Sequence, residues 1–198
     1  MGATIRLASE ADAEQIARIY APIVRDTAIS FEVEPPTAAE MARRVTSTLP
    51  AFPWLVADAA GEVLGYVYAG PHRTRAAYGW AVDTTVYVHS RGRRAGVGRA
   101  LYASLLRILA LQNFYSAYAG ITLPNPGSVG LHEAVGFTPV GIYRGVGYKL
   151  GAWHDVGWWE LTIQPRPSQP APPADMATAR AASGWSAALS AGLPLLRV

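Results

Sequence analysis

The chain has 198 residues, 51% of them apolar and 16% charged, with a formal net charge of +3 and no cysteine. That length and apolar content suit one globular core with a short appendage, and no apolar run is long enough to span a bilayer. The missing cysteines exclude disulfides, thiolate metal sites and thiol nucleophiles, and His72, His89, His132 and His154 are too scattered to suggest a metal site.

The chain opens on Met1 to Arg6 without the basic and apolar segments of a secretion signal, so a cytoplasmic location is expected. Residues 4–8 read as a strand. Ser9 with Asp12 then forms a capping box for a helix that carries Ile16, Ile19, Tyr20 and Ile23 on one face. Thr37 and Glu40 form a second box, opening a helix that stops before Pro50. Trp54–Asp58 and Glu62–Ala69 read as a hairpin around Ala60-Gly61, and a third strand follows over Trp80–His89. Leu101, Leu105, Leu106, Ile108 and Leu109 then fall at helical spacing. A strand over Tyr115–Thr122 leads to a short helix opened by Asn125-Pro126 and closed by Gly136, and strands over Pro139–Tyr148 and Trp153–Ile163 complete the series. The order β-α-α-β-β-β-α-β-α-β-β predicts an α/β fold, a central mixed sheet with helices on both faces. From Gln164 onward, crowded prolines and then alanines predict a flexible, weakly helical tail over residues 164–198.

The strand ending at Thr85-Val86-Tyr87-Val88 runs through Arg91, Arg93, Arg94, Ala95, Gly96, Val97, Gly98 and Arg99 into a helix. A helix start behind glycines and arginines suits a phosphate, because the first amides lack internal partners. The same arginines would also suit a solvated helix end or a nucleic-acid contact. Arg93-x-x-Gly96-x-Gly98 resembles the pyrophosphate-binding pattern of the GNAT superfamily of acyl-CoA-dependent N-acetyltransferases. Further strings resemble its phosphinothricin N-acetyltransferase branch: Ser30-Phe31, Ala69-Gly70-Pro71, Leu123-Pro124-Asn125, His132 to Phe137 and Trp153 to Gly157. The resemblance spans residues 4–163 and implies a GNAT fold with a mostly antiparallel sheet. It further implies acetyl-CoA held by the backbone of Val86, Tyr87 and Val88, by the turn from Arg93 to Arg99, and by Asn125.

Acetyl transfer to an amine needs a held donor, a deprotonated amine, a polarised carbonyl and a proton for the leaving thiolate. Without cysteine there can be no cysteinyl acyl-enzyme, so direct attack in a ternary complex is expected. Asp83 interrupts an apolar and hydroxylic strand and is the candidate base, its alternative being an ion-paired strand residue. Relatives commonly carry glutamate there, so the shorter aspartate implies an intervening water. His132 stands seven residues after Asn125, on nearly the same helix face, and the resemblance implies that it protonates the thiolate. Arg73 and Arg75 suit an amino acid with two acidic ends, and Phe31 and Tyr78 resemble the substrate wall, though as aromatics either can be core. The resemblance implies that the acceptor is phosphinothricin or, alternatively, methionine sulfoximine or sulfone. The protein is expected to be a homodimer that uses no metal, nucleic acid or membrane. A non-catalytic acyl-CoA binder is the other class.

Overall fold

Capping side chains start three of the α-helices in the computed structural model, which describes residues 2–198. The strand β1 (Thr4–Leu7) leads to the Ser9–Asp12 box, where the Asp12 carboxylate accepts from Ser9 N at 2.8 Å and from Arg6 Nη2 at 2.7 Å. A single 3-10 turn intervenes before α1 (Ala13–Asp26), whose Ile16, Ile19, Tyr20 and Val24 are buried. Thr37 caps α2 (Ala38–Thr48) by accepting from Glu40 N at 3.1 Å. The reciprocal half of this second box is missing, because the Glu40 carboxylate turns outward to Arg43 and Arg44. The later elements are β2 (Trp54–Ala59), β3 (Glu62–Pro71), β4 (Ala81–Val88), α3 (Val97–Leu111), β5 (Ser116–Leu123), α4 (Pro126–Val135), β6 (Thr138–Lys149) and β7 (Ala152–Thr162).

The seven strands form one mixed sheet in the order β1-β2-β3-β4-β5-β7-β6, antiparallel except for the parallel pair β4 and β5. Alternating residues feed two cores. On one face Val56, Val63 and Tyr66 pack under α1 and α2; on the other Leu55, Val67, Val82 and Ala117 pack under α3. Apolar side chains on both faces of β2 and β3 require helices above and below the sheet.

Residues 164–198, expected as a flexible tail, instead lie ordered against α3 and include two short helices, α5 (Met176–Ala181) and α6 (Trp185–Ser190). Met176, Ala179 and Ala188 are buried. Gln112 Nε2 donates to the Ala174 carbonyl, and Ser104 Oγ donates to that of Leu189, each at 2.8 Å. Arg197 N donates to Ala95 O at 3.0 Å, so the tail reaches the glycine-rich turn. Helices this short are unstable alone and take their order from tertiary packing, which composition does not reveal.

Candidate active site

β4 and β5 share a ladder only from Ala81 to Asp83, opposite Ser116 to Tyr118. Beyond that point β4 pairs only with β3, and β5 only with β7. The strands therefore fork after Asp83, leaving one backbone edge of Thr84–Val88 without a strand partner. The fork opens a cleft of about 100 Å³ lined by Thr84, Val86, Gly120, Asn125 and His132. Val86 and Tyr87 line this cleft, while the Tyr87 ring packs 4.8 Å from that of Tyr20 on the α1 side.

At its far end β4 leads into the glycine-rich turn and the start of α3. Gly96, the N-cap, has φ of 80°, a left-handed conformation that glycine adopts without strain, and it offers no capping side chain to the first amides. Gly98 answers a different need: a Cβ there would stand 2.8 Å from the Leu131 side chain of α4, so its absence brings α3 and α4 together. Val97 is buried and can present only its backbone. Arg93, Arg94 and Arg99 are exposed and make no ion pair among the described residues, whereas Arg91 pairs with Glu62 at 2.7 Å. The turn therefore sets exposed arginines beside a helix start that has no side-chain cap, with the Leu195 carbonyl of the tail lying against Gly96.

α4 brings Asn125 and His132 to the cleft together. Asn125 Oδ1 caps the helix, accepting from Ser128 N at 3.1 Å. His132 Nδ1 donates to Ser128 O at 2.8 Å, which leaves Nε2 as the acceptor of the Tyr102 hydroxyl proton, also at 2.8 Å. Burial lowers the His132 pKa against the opposing Ser128 hydrogen bond and keeps the ring neutral. Tyr102 OH lies 3.1 Å from Thr84 Oγ1, which ties this pair to the fork.

Asp83, the last residue of β4 to pair with β5, faces the opposite side of the sheet. Burial raises its carboxyl pKa, partly offset by His72 and Arg73. His72 Nδ1 lies 2.6 Å from Asp83 Oδ1, and its ring stacks on Tyr118 at 4.3 Å and meets the edges of Tyr78 and Trp158. The Arg73 guanidinium lies over Trp158, 5.6 Å from the ring centre. Asp83, Arg73 and Tyr78 are thus gathered in one aromatic cup. Arg75 is not tied into it: its side chain is exposed, with no hydrogen bond or ion pair among the described residues. Phe31 lies against Gly147 and His154 of β6 and β7, on a loop pinned by the bond between Tyr20 OH and Ser30 Oγ at 2.6 Å and by the buried Lys149 Nζ on Ser30 O, also at 2.6 Å.

Sequence reasoning missed His72, Tyr102, Tyr118 and Trp158. His72 could have been found from strand register, since Gly70 pairs with Asp83 and a residue two places further, just past the end of β3 at Pro71, falls diagonally near it.

The family model of the acetyltransferase (GNAT) domain matches residues 5–158. The chain is 44% identical to a phosphinothricin N-acetyltransferase of Streptomyces viridochromogenes, over 84% of this chain and 93% of that protein. It is 37% identical to an L-methionine sulfoximine/L-methionine sulfone acetyltransferase of Pseudomonas aeruginosa, over 86% and 100%. A crystal structure of a phosphinothricin acetyltransferase from Sinorhizobium meliloti in complex with acetyl-CoA is similar with a TM-score of 0.77 and 35% identity, covering 82% of this chain and 89% of that one.

Proposed function

The chain belongs to the GNAT acetyltransferase family, and on that footing we propose that it acetylates the α-amine of a small L-amino acid with a tetrahedral acidic or polar head. Phosphinothricin is the first candidate. Methionine sulfoximine or sulfone is the second reading, favoured by the similarity to enzymes named for them and by the tetrahedral polar head that such acceptors share with phosphinothricin.

The observation that carries the proposal is the fork, which puts an unpaired strand edge, an anion-binding helix start and a raised-pKa carboxyl along one strand. The backbone of Val86, Tyr87 and Val88 and the turn Arg93–Arg99 suit a pantetheine and a pyrophosphate, with Asn125 on the facing wall. Acetyl-CoA, when bound, supplies the acyl group and a sulfur leaving group. An α-amine is mostly protonated at neutral pH, its pKa being about 8, so a base is required. Asp83 holds that role at the fork. His132, with Tyr102 as its partner, handles the proton for the sulfur across the cleft. Arg73 and Arg75 orient the acceptor's acidic groups, and Tyr78 and Phe31 form its apolar walls. The cup is open to direct attack, and a chain without cysteine offers no cysteinyl acyl-enzyme.

A homodimer is proposed on the edge hairpin of β6 and β7. Ile142, Tyr143, Val146, Tyr148 and Trp153 are exposed there, Trp153 at 69%, which is a large apolar strip for a protein surface.

The test is release of coenzyme A thiol from acetyl-CoA in the presence of phosphinothricin, methionine sulfoximine, methionine sulfone, glutamate and a lysine peptide. The protein itself contributes no thiol background. Turnover confined to the tetrahedral-headed amino acids is expected; acetyl-CoA binding with no turnover on any acceptor would instead favour a sensor.

A further inference from the structure

We infer that the base for the acceptor amine is an Asp83–His72 dyad, with His72 Nε2 as the atom that takes the proton and Asp83 as the carboxylate that orients it. This rests on the N-acetyltransferase reading and adds a catalytic residue to it.

The geometry fixes the division of labour. Asp83 has a short side chain at the point where the ladder ends, and one of its oxygens is 2.6 Å from His72 Nδ1. A carboxylate accepts, so Nδ1 carries the ring proton and the lone pair falls on Nε2. His72 Nε2 has no hydrogen-bond partner among the described residues, and it is not one of the few buried polar atoms left without one. It is therefore reachable from the cup. Stacking on Tyr118 and the edge contacts to Tyr78 and Trp158 hold the ring in this pose from β5, the 3-10 turn over Ala76–Tyr78 and β7.

A carboxylate on one imidazole nitrogen with the other nitrogen free fixes the tautomer and aims a lone pair at the cup, as a positioned general base requires. The step balances simply. An N–H bond of the substrate ammonium breaks, an N–H bond forms on Nε2, the amine keeps its lone pair, and the imidazolium beside Asp83 later returns the proton to solvent. Nothing is oxidised. The dyad also removes the need for an intervening water, since the imidazole extends the short aspartate by the length of a ring. The charged or titratable groups facing the dyad are Arg73, from its own loop, and the phenols of Tyr78 and Tyr118.

Two measurements test this on the full chain. The first needs no turnover: nitrogen-resolved NMR of the His72 ring is expected to show, for the neutral ring, Nδ1 protonated and Nε2 bare, and the reverse tautomer overturns the dyad. The second is kinetic, with the acceptor on which the unaltered enzyme turns over. His72→Phe and His72→Gln are expected to lower kcat by about 10²-fold. The KM for acetyl-CoA should stay within about twofold, and the acid limb of the kcat/KM profile should move. The double variant with Asp83→Asn should be no slower than the slower single variant, because the two residues act as a unit. If both His72 variants keep kcat within about threefold with the acid limb in place, the dyad is wrong and Asp83 acts without it. Absence of turnover by the unaltered enzyme on every acceptor would overturn the proposed function instead, and the dyad then stands or falls on the tautomer.

Discussion

Asp83 and His132 flank the fork from opposite faces of the sheet, and burial pushes their protonation in opposite directions. It raises the Asp83 carboxyl, because the charged form loses solvent beside Tyr118 and His72, and it lowers the His132 imidazole for the same reason. Asp83→Asn removes the carboxylate that serves the base while keeping size, so kcat should fall by about 10²-fold with acetyl-CoA binding unchanged in calorimetry. For His132 the sign follows from linkage. The unfolded chain takes up the histidine proton first, near pH 6.5, while the folded chain resists it, so acidification through that range favours unfolding. The stability gap between the unaltered protein and His132→Asn, read by denaturant titration, should therefore narrow as pH falls from 7.5 toward about 5. A gap that widens on acidification would mean that the ring is charged in the fold.

At the scale of elements, the glycine-rich turn, the Asn125 cap and the Gly136 stop were legible from spacing, since each is a local device with its own residue signature. The fork could not be read from spacing, because where a ladder ends depends on which strands lie on either side; only the family resemblance, with acetyl-CoA on the backbone of Val86 to Val88, implied a free strand edge there. The His72–Asp83 pairing stayed hidden for the same reason: it needs the register of β3 against β4. The second capping box was half right, since the Glu40 side chain finds Arg43 and Arg44 before it finds the backbone. Gly96 carries a demand that the spacing did suggest. Gly96→Ala forces a side chain into φ of 80° and toward the Leu195 carbonyl. About 1 kcal/mol of strain, or roughly a 3 °C loss in Tm, should accompany a raised KM for acetyl-CoA and an unchanged KM for the acceptor.

Across the whole molecule, two surfaces extend the α/β core. The exposed strip on β6 and β7 predicts association, and Trp153→Glu, which puts a charge on its most exposed aromatic, should shift the sedimenting species from dimer to monomer. No described helix is long and apolar enough to cross a membrane. On the other side the tail covers α3 and ends at the turn, where Arg197 N meets Ala95 O and Gly192 lies so close that a Cβ would strike the Ala100 carbonyl.

That contact makes the tail and the turn thermodynamically reciprocal. A chain cut after Ser190 loses the hydrogen bond that holds Ala95, and acetyl-CoA should then bind about tenfold more weakly, equivalent to about 1.4 kcal/mol. By linkage, acetyl-CoA must tighten tail docking in the intact protein by the same factor. Protease cleavage within residues 191–198 should slow as acetyl-CoA is added, so a segment outside the cleft would report on what the cleft holds.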